Sequence, residues 1–309
     1  MQNTNPPGTL VVVAVLLLTA AVVLGQGAII LEQPLSRQFP LAAKVTAWYR
    51  VVPALAGGRT WYSSAGYQHG TLTNMAASGT SGWNSTTRPG GEGEMRFSGS
   101  GYVLLGNPVQ LQVTTGAWSA CLWVRSTAAP PGTPNDAMAP GVLALTDNGT
   151  GVTRALDMSL LPDEWGAEAG KMVLEAYDGT NNPSLFSDAV IVNTGWQHFC
   201  GVRGNSQLRL FQNGIEAASS PITDTTGSIN AAGLAWAIGA RLDSNFGWPF
   251  TGMVDDVMIF NGTALTPNDV RLIYQDSRQG NLLALHRYES LDIPLVSGPR
   301  AVRKRVLSE

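Results

Sequence analysis

The apolar positions of this chain recur mostly with period two. Residues 207–213 set Leu208 and Leu210 against Arg209 and Phe211, the alternation of a half-buried strand. Asn213-Gly214 follows, and an Asn-Gly pair between alternating runs predicts a tight hairpin. Residues 171–177 carry Met172, Leu174 and Ala176 on one face and end in Asp178-Gly179, a second turn pair. Further strands are predicted at 45–51, 118–124 and 235–240. The run 254–260 holds Val257, Ile259 and Phe260 and stops at Asn261-Gly262. There the period changes. Thr266 precedes Pro267, and Asp269 stands at the position that completes a capping box with proline at the first helical position. Val270, Ile273 and Tyr274 then share one face of a helix of about two to three turns.

The N-terminus follows neither period. Residues 10–25 are apolar apart from the hydroxyl of Thr19, and no charge occurs before Glu32. An export signal has such a core, with small residues near Gly25 for cleavage. The first nine residues, however, lack the usual Lys or Arg. A retained transmembrane anchor needs about 20 apolar residues and so would have to include Gln26. Arg37, Lys44 and Arg50 would then put its C-terminal side in the cytoplasm. An apolar arm against a partner subunit is the third reading. The chain thus divides into an apolar signal-like or anchor segment (1–31), a linker (32–44), a β domain (45–276) and a tail (277–309). The tail carries Arg300, Arg303, Lys304 and Arg305, a charge run expected to be solvated.

Composition sharpens this picture. With 35 Gly, 18 Pro and 13% charged residues in 309, short strands separated by turns are expected. A sandwich of about 200–250 residues can form a single domain. The nine Trp and 44% apolar content supply a sizeable core, to which Trp118, Trp123, Trp196, Trp236 and Phe211 are assigned. Residues 79–93 and 128–140 read as loops. A net charge of −3 gives no basis for nucleic-acid binding.

Several segments carry a family likeness. They are Arg96 to Val103 with Phe97, Gly99 and Tyr102; Trp118 with Trp123-Val124; Trp196 and His198 followed by Asn213-Gly214; and a long final run. That run holds Phe250, Gly252, Asp255, Asp256, Val257, Ile259, Phe260, Asn261, Ala264, Leu265, Thr266, Asp269, Val270 and Tyr274. In this order they resemble the LamG-like jelly rolls of the concanavalin A-like lectin/glucanase superfamily. Ser63, Ser98 and Gly101 stand where that pattern often has acids. The resemblance covers residues 45–276 and implies an all-β fold. Its form is a two-sheet antiparallel jelly-roll sandwich with one short C-terminal helix. Cys121 and Cys200 fall in runs resembling neighbouring inner strands. They form either a disulfide closing a loop of about 80 residues or two buried thiols.

The chain offers little chemistry. His69, His198 and His286 are far apart and none pairs with Cys or His at ligand spacing, so zinc is not expected. Neither a Gly-x-Ser-x-Gly elbow nor a phosphate-cradling Gly-Lys-Ser/Thr loop occurs. Glucanases of the resembled superfamily carry Glu-x-Asp-x-Glu on one strand, which is missing here. A retaining pair needs carboxyls about 5–5.5 Å apart. Adjacent Asp255 and Asp256 are expected on opposite faces of their strand. Catalytic residues are therefore not expected. The resemblance implies Ca²⁺ at a rim, for which Asp178 with Asn181 and Asp243 with Asn245 are candidates, although turn chemistry explains the same residues. Trp165, Tyr177 and Trp248 lie where sugars could stack.

The expected function is a non-catalytic recognition module, exported or surface-exposed, binding glycan or protein ligands through rim loops. The alternative is a structural subunit, such as a decoration protein on a viral or phage-like particle, docked by its N-terminal arm or C-terminal tail. Membrane contact through residues 10–31 and assembly into an oligomer stay open.

Overall fold

The computed structural model describes residues 41, 44–51, 58–66, 68–76, 79–85, 88–127, 139–148, 155–243 and 248–280. The apolar segment 1–31 and the four basic tail residues lie outside the described residues. Among those described, no helix is long and apolar enough to cross a membrane.

The first strands are β1 (Ala47–Tyr49), β2 (Thr60–Trp61), β3 (Gly70–Thr73), β4 (Gly82–Asn84), β5 (Glu94–Ser98) and β6 (Tyr102–Gly106). Then come β7 (Trp118–Arg125), β8 (Gly141–Asp147), β9 (Ala155–Leu160), β10 (Met172–Tyr177), β11 (Ser184–Phe186) and β12 (Gln197–Gly204). The last are β13 (Gln207–Gln212), β14 (Ile215–Glu216), β15 (Ile222–Thr223), β16 (Leu234–Ile238), β17 (Ala240–Arg241), β18 (Trp248–Pro249) and β19 (Thr251–Asn261). One helix, α1 (Pro267–Gln279), closes the fold. A nine-stranded sheet runs β14-β13-β12-β7-β19-β5-β4, with β1 also on β19 and β15 also on β13. An eight-stranded sheet runs β11-β10-β9-β8-β16-β6-β3-β2, and β17 and β18 pair alone. All the ladders between named strands are antiparallel, as the jelly-roll sandwich requires.

Alternation puts Ala120, Leu122, Val124, Phe199, Leu208, Leu210, Val257 and Ile259 in the core between the sheets. Leu143, Leu145, Leu156, Met158, Leu174 and Ile238 face them from the eight-stranded side. Trp118 and Trp236 stack across the gap, with ring centroids 5.6 Å apart and planes 12° apart. The Trp236 indole donates to the Leu111 carbonyl at 2.9 Å, which satisfies a polar group that burial would otherwise penalise. Trp118, Trp236 and Phe211 are buried as assigned, whereas Trp196 is only half-buried. The segment 79–93, read as loop, contains β4.

The opposite residues of the nine-stranded sheet build a second core. Cys121, Cys200, Val202, Phe211, Met258 and Phe260 pack beneath Val270 and Ile273 of α1. Thr266 and Asp269 form the expected capping box, and Gly280 ends the helix in the left-handed conformation at φ 74°. At 13 residues the helix is longer than anticipated, because Ser277 also turns inward and is buried. Cys121 and Cys200 sit directly opposite each other on β7 and β12. They are joined as a disulfide with Cα atoms 4.1 Å apart.

A buried charge cluster ties these layers together. Asp256 adopts φ 48° where β19 shifts register against β7 between Asp255 and Met258. This bulge overturns the expectation that the two acids diverge, because the extra residue interrupts strict alternation. Both carboxylates meet Arg88, through Nε to Asp255 at 3.0 Å and through Nη2 to Asp256. Arg88 Nη1 also donates to the Ser277 carbonyl at 2.9 Å, near the negative end of the α1 dipole. Its guanidinium lies 4.9 Å over the Trp123 ring. Arg50 adds an ion pair to Asp256 at 3.4 Å, and Trp48 donates to the same carboxylate at 3.0 Å. Gly90, at φ 77°, lets the loop reach the helix end, since a Cβ there would lie 2.4 Å from the Ser277 carbonyl oxygen.

Removing Arg88 would leave two buried carboxylates competing for Arg50. Arg88→Ala is expected to destabilise the fold by about 3–5 kcal/mol, read from the urea midpoint. The Cys121→Ala/Cys200→Ala double variant opens a loop with a sequence separation of 79. It is expected to lose about 4 kcal/mol and to melt at lower temperature than the wild type under non-reducing conditions.

Candidate functional site

The eight-stranded sheet has no α-helix on its outer face among the described residues; α1 packs on the other sheet. In β9, Leu156, Met158 and Leu160 point inward, so Asp157 and Ser159 point outward. In β10, Met172, Leu174 and Ala176 point inward, leaving Val173, Glu175 and Tyr177 outside. Register puts Glu175 directly opposite Asp157, the distance at which cross-strand side chains interact. The β17–β18 hairpin comes over this face. Its approach depends on Gly141, where a Cβ would stand 2.7 Å from the Ala240 carbonyl carbon. The Leu242 amide donates to Thr146 Oγ1 at 2.9 Å, which fixes the hairpin above β8.

The hairpin brings Arg241 to the acids. Its Nη1 is 3.5 Å from Asp157 Oδ2. Its Nε and Nη2 fork onto Asp243 at 3.1 and 2.6 Å, a bidentate geometry specific to guanidinium. Ser159 also donates to Asp157 Oδ2. Asp157 Oδ1 and Trp248 Nε1 are buried without a hydrogen-bond partner among the described residues. Trp248 pairs with Arg241 across the hairpin.

Burial raises the pKa of Asp157, and the Arg241 charge only partly offsets it. Burial, then the neighbouring Asp157, pushes Glu175 up to about 7. Burial opposes the Arg241 charge, but Asp157, Asp243 and Glu175 outweigh it and hold the cation in place. This face therefore carries three acids around one arginine, which bonds Asp243 through two of its five N–H groups and faces Asp157 with its third nitrogen.

Of the sugar-stacking candidates, Tyr177 and Trp248 lie on this face, and Trp165 lies at its margin. Tyr177 shares its strand face with Glu175, and Trp248 lies opposite Arg241. Trp165, on the 3₁₀ turn Asp163–Glu168, packs on Phe186 at 6.3 Å at the β11 edge. The ligand candidates for Ca²⁺ separate. Asp178 accepts from the Thr180 and Asn181 amides at 2.9 and 2.8 Å, from Asn181 Nδ2 at 3.1 Å and from the Gly227 amide at 2.7 Å. These donors, led by the Asn181 and Gly227 amides, hold its carboxyl well below the usual range. A cation there would have to displace them. Asp243 is engaged by Arg241 on another turn, and Asn245 lies outside the described residues.

Among the described residues, one histidine–cysteine–acid group converges at metal-ligand range: Cys121, His198 and Cys200. Sequence spacing hid it, because Cys121 arrives from a different strand. Both sulfurs are consumed by the disulfide. His198 is buried against Trp123 and Tyr274, and burial first, then Arg88, lowers its pKa to about 3. It is neutral at physiological pH. Sequence reasoning also missed Asp157, Glu175 and Arg241. The alternation of β9 and β10 could have revealed which face they occupy, but not that they meet.

The Glu175 shift has a stability consequence. Between its ordinary value of 4.5 and about 7 the folded chain holds a proton that the unfolded chain has lost. Stability therefore falls as pH rises through that window. Asp157 and Asp255, both raised by burial, act in the same sense. Glu175→Gln is expected to flatten the decline, measured as the urea midpoint from pH 4.5 to 7.5.

Known proteins share this architecture. Domain 4 of AbnA, an extracellular arabinanase from Geobacillus stearothermophilus solved with arabinotriose, superposes with a TM-score of 0.54. Identity is 20%, over 75% of this chain and 98% of that domain. The binding domain of Paraclostridial Mosquitocidal Protein 1 gives 0.51 at 13% identity, over 76% of this chain and 52% of that one. Trypanosoma rangeli sialidase gives 0.50 at 13% identity, and this chain spans only 33% of its length. Likeness at these identities establishes the fold alone. No curated protein sequence matches the chain. The sequence profile of the concanavalin A-like lectin/glucanases superfamily matches residues 97–271, more than half of the chain, and the protein belongs to that superfamily.

Proposed function

We propose that this protein is a non-catalytic glycan-binding module that holds its ligand on the outer face of the eight-stranded sheet. One observation carries the reading. That face combines half-buried Tyr177 and Trp248 with buried polar atoms, on Asp157 and Trp248, that have no hydrogen-bond partner among the described residues. Protein interiors rarely leave such atoms unpaired, and a sugar hydroxyl both donates and accepts. Aromatic rings beside fixed polar groups are the usual composition of a saccharide site.

The similarity to a domain solved with arabinotriose supports a saccharide ligand. A binding role without chemistry is supported by β9 itself. Two positions after Asp157 stands Ser159 rather than a second acid. Asp157 is buried and held by Arg241 and Ser159, which suits an electrostatic anchor better than a proton donor. The buried disulfide supports folding in an oxidising compartment, in keeping with an exported or surface-exposed protein.

A glycan array probed with the full chain, with and without chelator, tests the reading. Binding is expected to survive chelation, because the four donors on Asp178 occupy its oxygens. Tyr177→Ala is expected to weaken binding about tenfold through lost stacking with little change in melting temperature. Unchanged affinity in that variant would move the ligand off this face.

A further inference from the structure

We propose a second site, on the other sheet, that binds the carboxylate of an acidic saccharide between Arg125 and Arg96. Helix α1 covers the outer face of the nine-stranded sheet as far as Trp123, whose indole donates to Ser277 Oγ at 3.0 Å. The next row lies beyond the helix. Leu122 and Val124 of β7, Met95 and Phe97 of β5 and Val254 of β19 face the core, so Arg125, Arg96 and Met253 face outward. Register sets Met253 opposite Arg125 on one side and opposite Arg96 on the other. The two arginines therefore stand about 10 Å apart at the backbone, close enough for two long side chains to meet one ligand group.

Their charges are largely unspent. Arg125 is half-buried and has no hydrogen bond or ion pair among the described residues. Arg96 has a 3.5 Å contact to Glu94, and its side chain is 33% exposed. Burial raises the pKa of Glu94, and both arginine charges pull it back down, so both are felt at one point of this face. One buried carboxylate cannot neutralise two guanidinium groups, and the fork of a guanidinium matches a carboxylate with two parallel bonds. An aromatic ring stands beside them. Gln197 pairs with Val124, which brings Trp196, one position earlier, level with Arg125. This indole is half-buried, belongs to neither large core cluster and has no ring partner among the described residues. A ring beside a carboxylate fork suits a sugar acid. Thr251 and Ser98, exposed and paired in the following row, offer hydroxyls to the rest of the sugar. On a chain of net charge −3, so small a positive spot does not suit a long polyanion.

Calorimetry of the full chain at low salt, with trigalacturonate against its methyl ester and sialyllactose against lactose, tests this. At least one acid is expected to bind about tenfold more tightly than its neutral counterpart, and to weaken as salt rises. Arg125→Gln removes the charge from a side chain that has no partner to lose. It is expected to abolish the preference for the acid without moving the melting temperature. Trp196→Ala is expected to weaken the acid about tenfold. Tyr177→Ala, on the other sheet, is expected to leave it unchanged, which separates this site from the one proposed above. Equal affinity for each acid and its neutral counterpart, or a preference that survives Arg125→Gln, would overturn this site and leave the first reading untouched. Loss of acid binding in Tyr177→Ala would overturn it too, by placing the ligand on the eight-stranded sheet.

Discussion

A single guanidinium ties the terminal helix to the nine-stranded sheet. Arg88 is fully enclosed, and an arginine so enclosed is stable only if its charge and its donors are all met. Here the partners come from separate elements: the two bulge carboxylates of β19, the last turn of α1 and the indole of Trp123. Without Arg88 the two carboxylates would keep only the Val51 amide, Trp48 and Arg50 as partners. Together they bind the loop before β5, the longest strand and the terminal helix into one unit. The bulge makes this geometry available, since it lets neighbouring acids address the same cation.

The same helix covers much of one side of the sandwich. Beneath it lie the disulfide, neutral His198 and the second apolar cluster, all positioned for stability. The opposite face has a different character. Small side chains such as Ala144, Ala235 and Ala237 floor it, and a two-stranded hairpin overhangs it with charged and aromatic residues. The division follows from the sheets themselves. Each has one surface given to the shared core, so any further work must be done on the outside, and α1 occupies only one outside.

Much of this organisation was legible in the chain, because local signals and tertiary demands agree. The capping box at Thr266, the hairpin at Asn213-Gly214 and the alternation of β10 all act over a few residues. What escaped depends on register. Asp157 and Glu175 are 18 positions apart, and nothing local says that β9 and β10 align them. Strict alternation puts the acids in the middle of β19 on opposite faces, and the bulge breaks alternation at that point. Strand β4 escaped because Gly, Ser and Thr dominate its surroundings, and only pairing with β5 makes it a strand. Trp196 was assigned to the core on residue type alone, yet it sits in a turn before β12 and is half-exposed to water.

The outermost strands of both sheets are short. Strands β14 and β2 have two residues each, and β4 and β11 have three. A foreign chain seeking backbone partners along these margins would find only a hydrogen bond or two before the ladder ran out. Large antiparallel sheets are prone to recruit neighbours edgewise, and here brevity limits that route. The margins of the open eight-stranded face are therefore poor seeds for aggregation of the protein with itself.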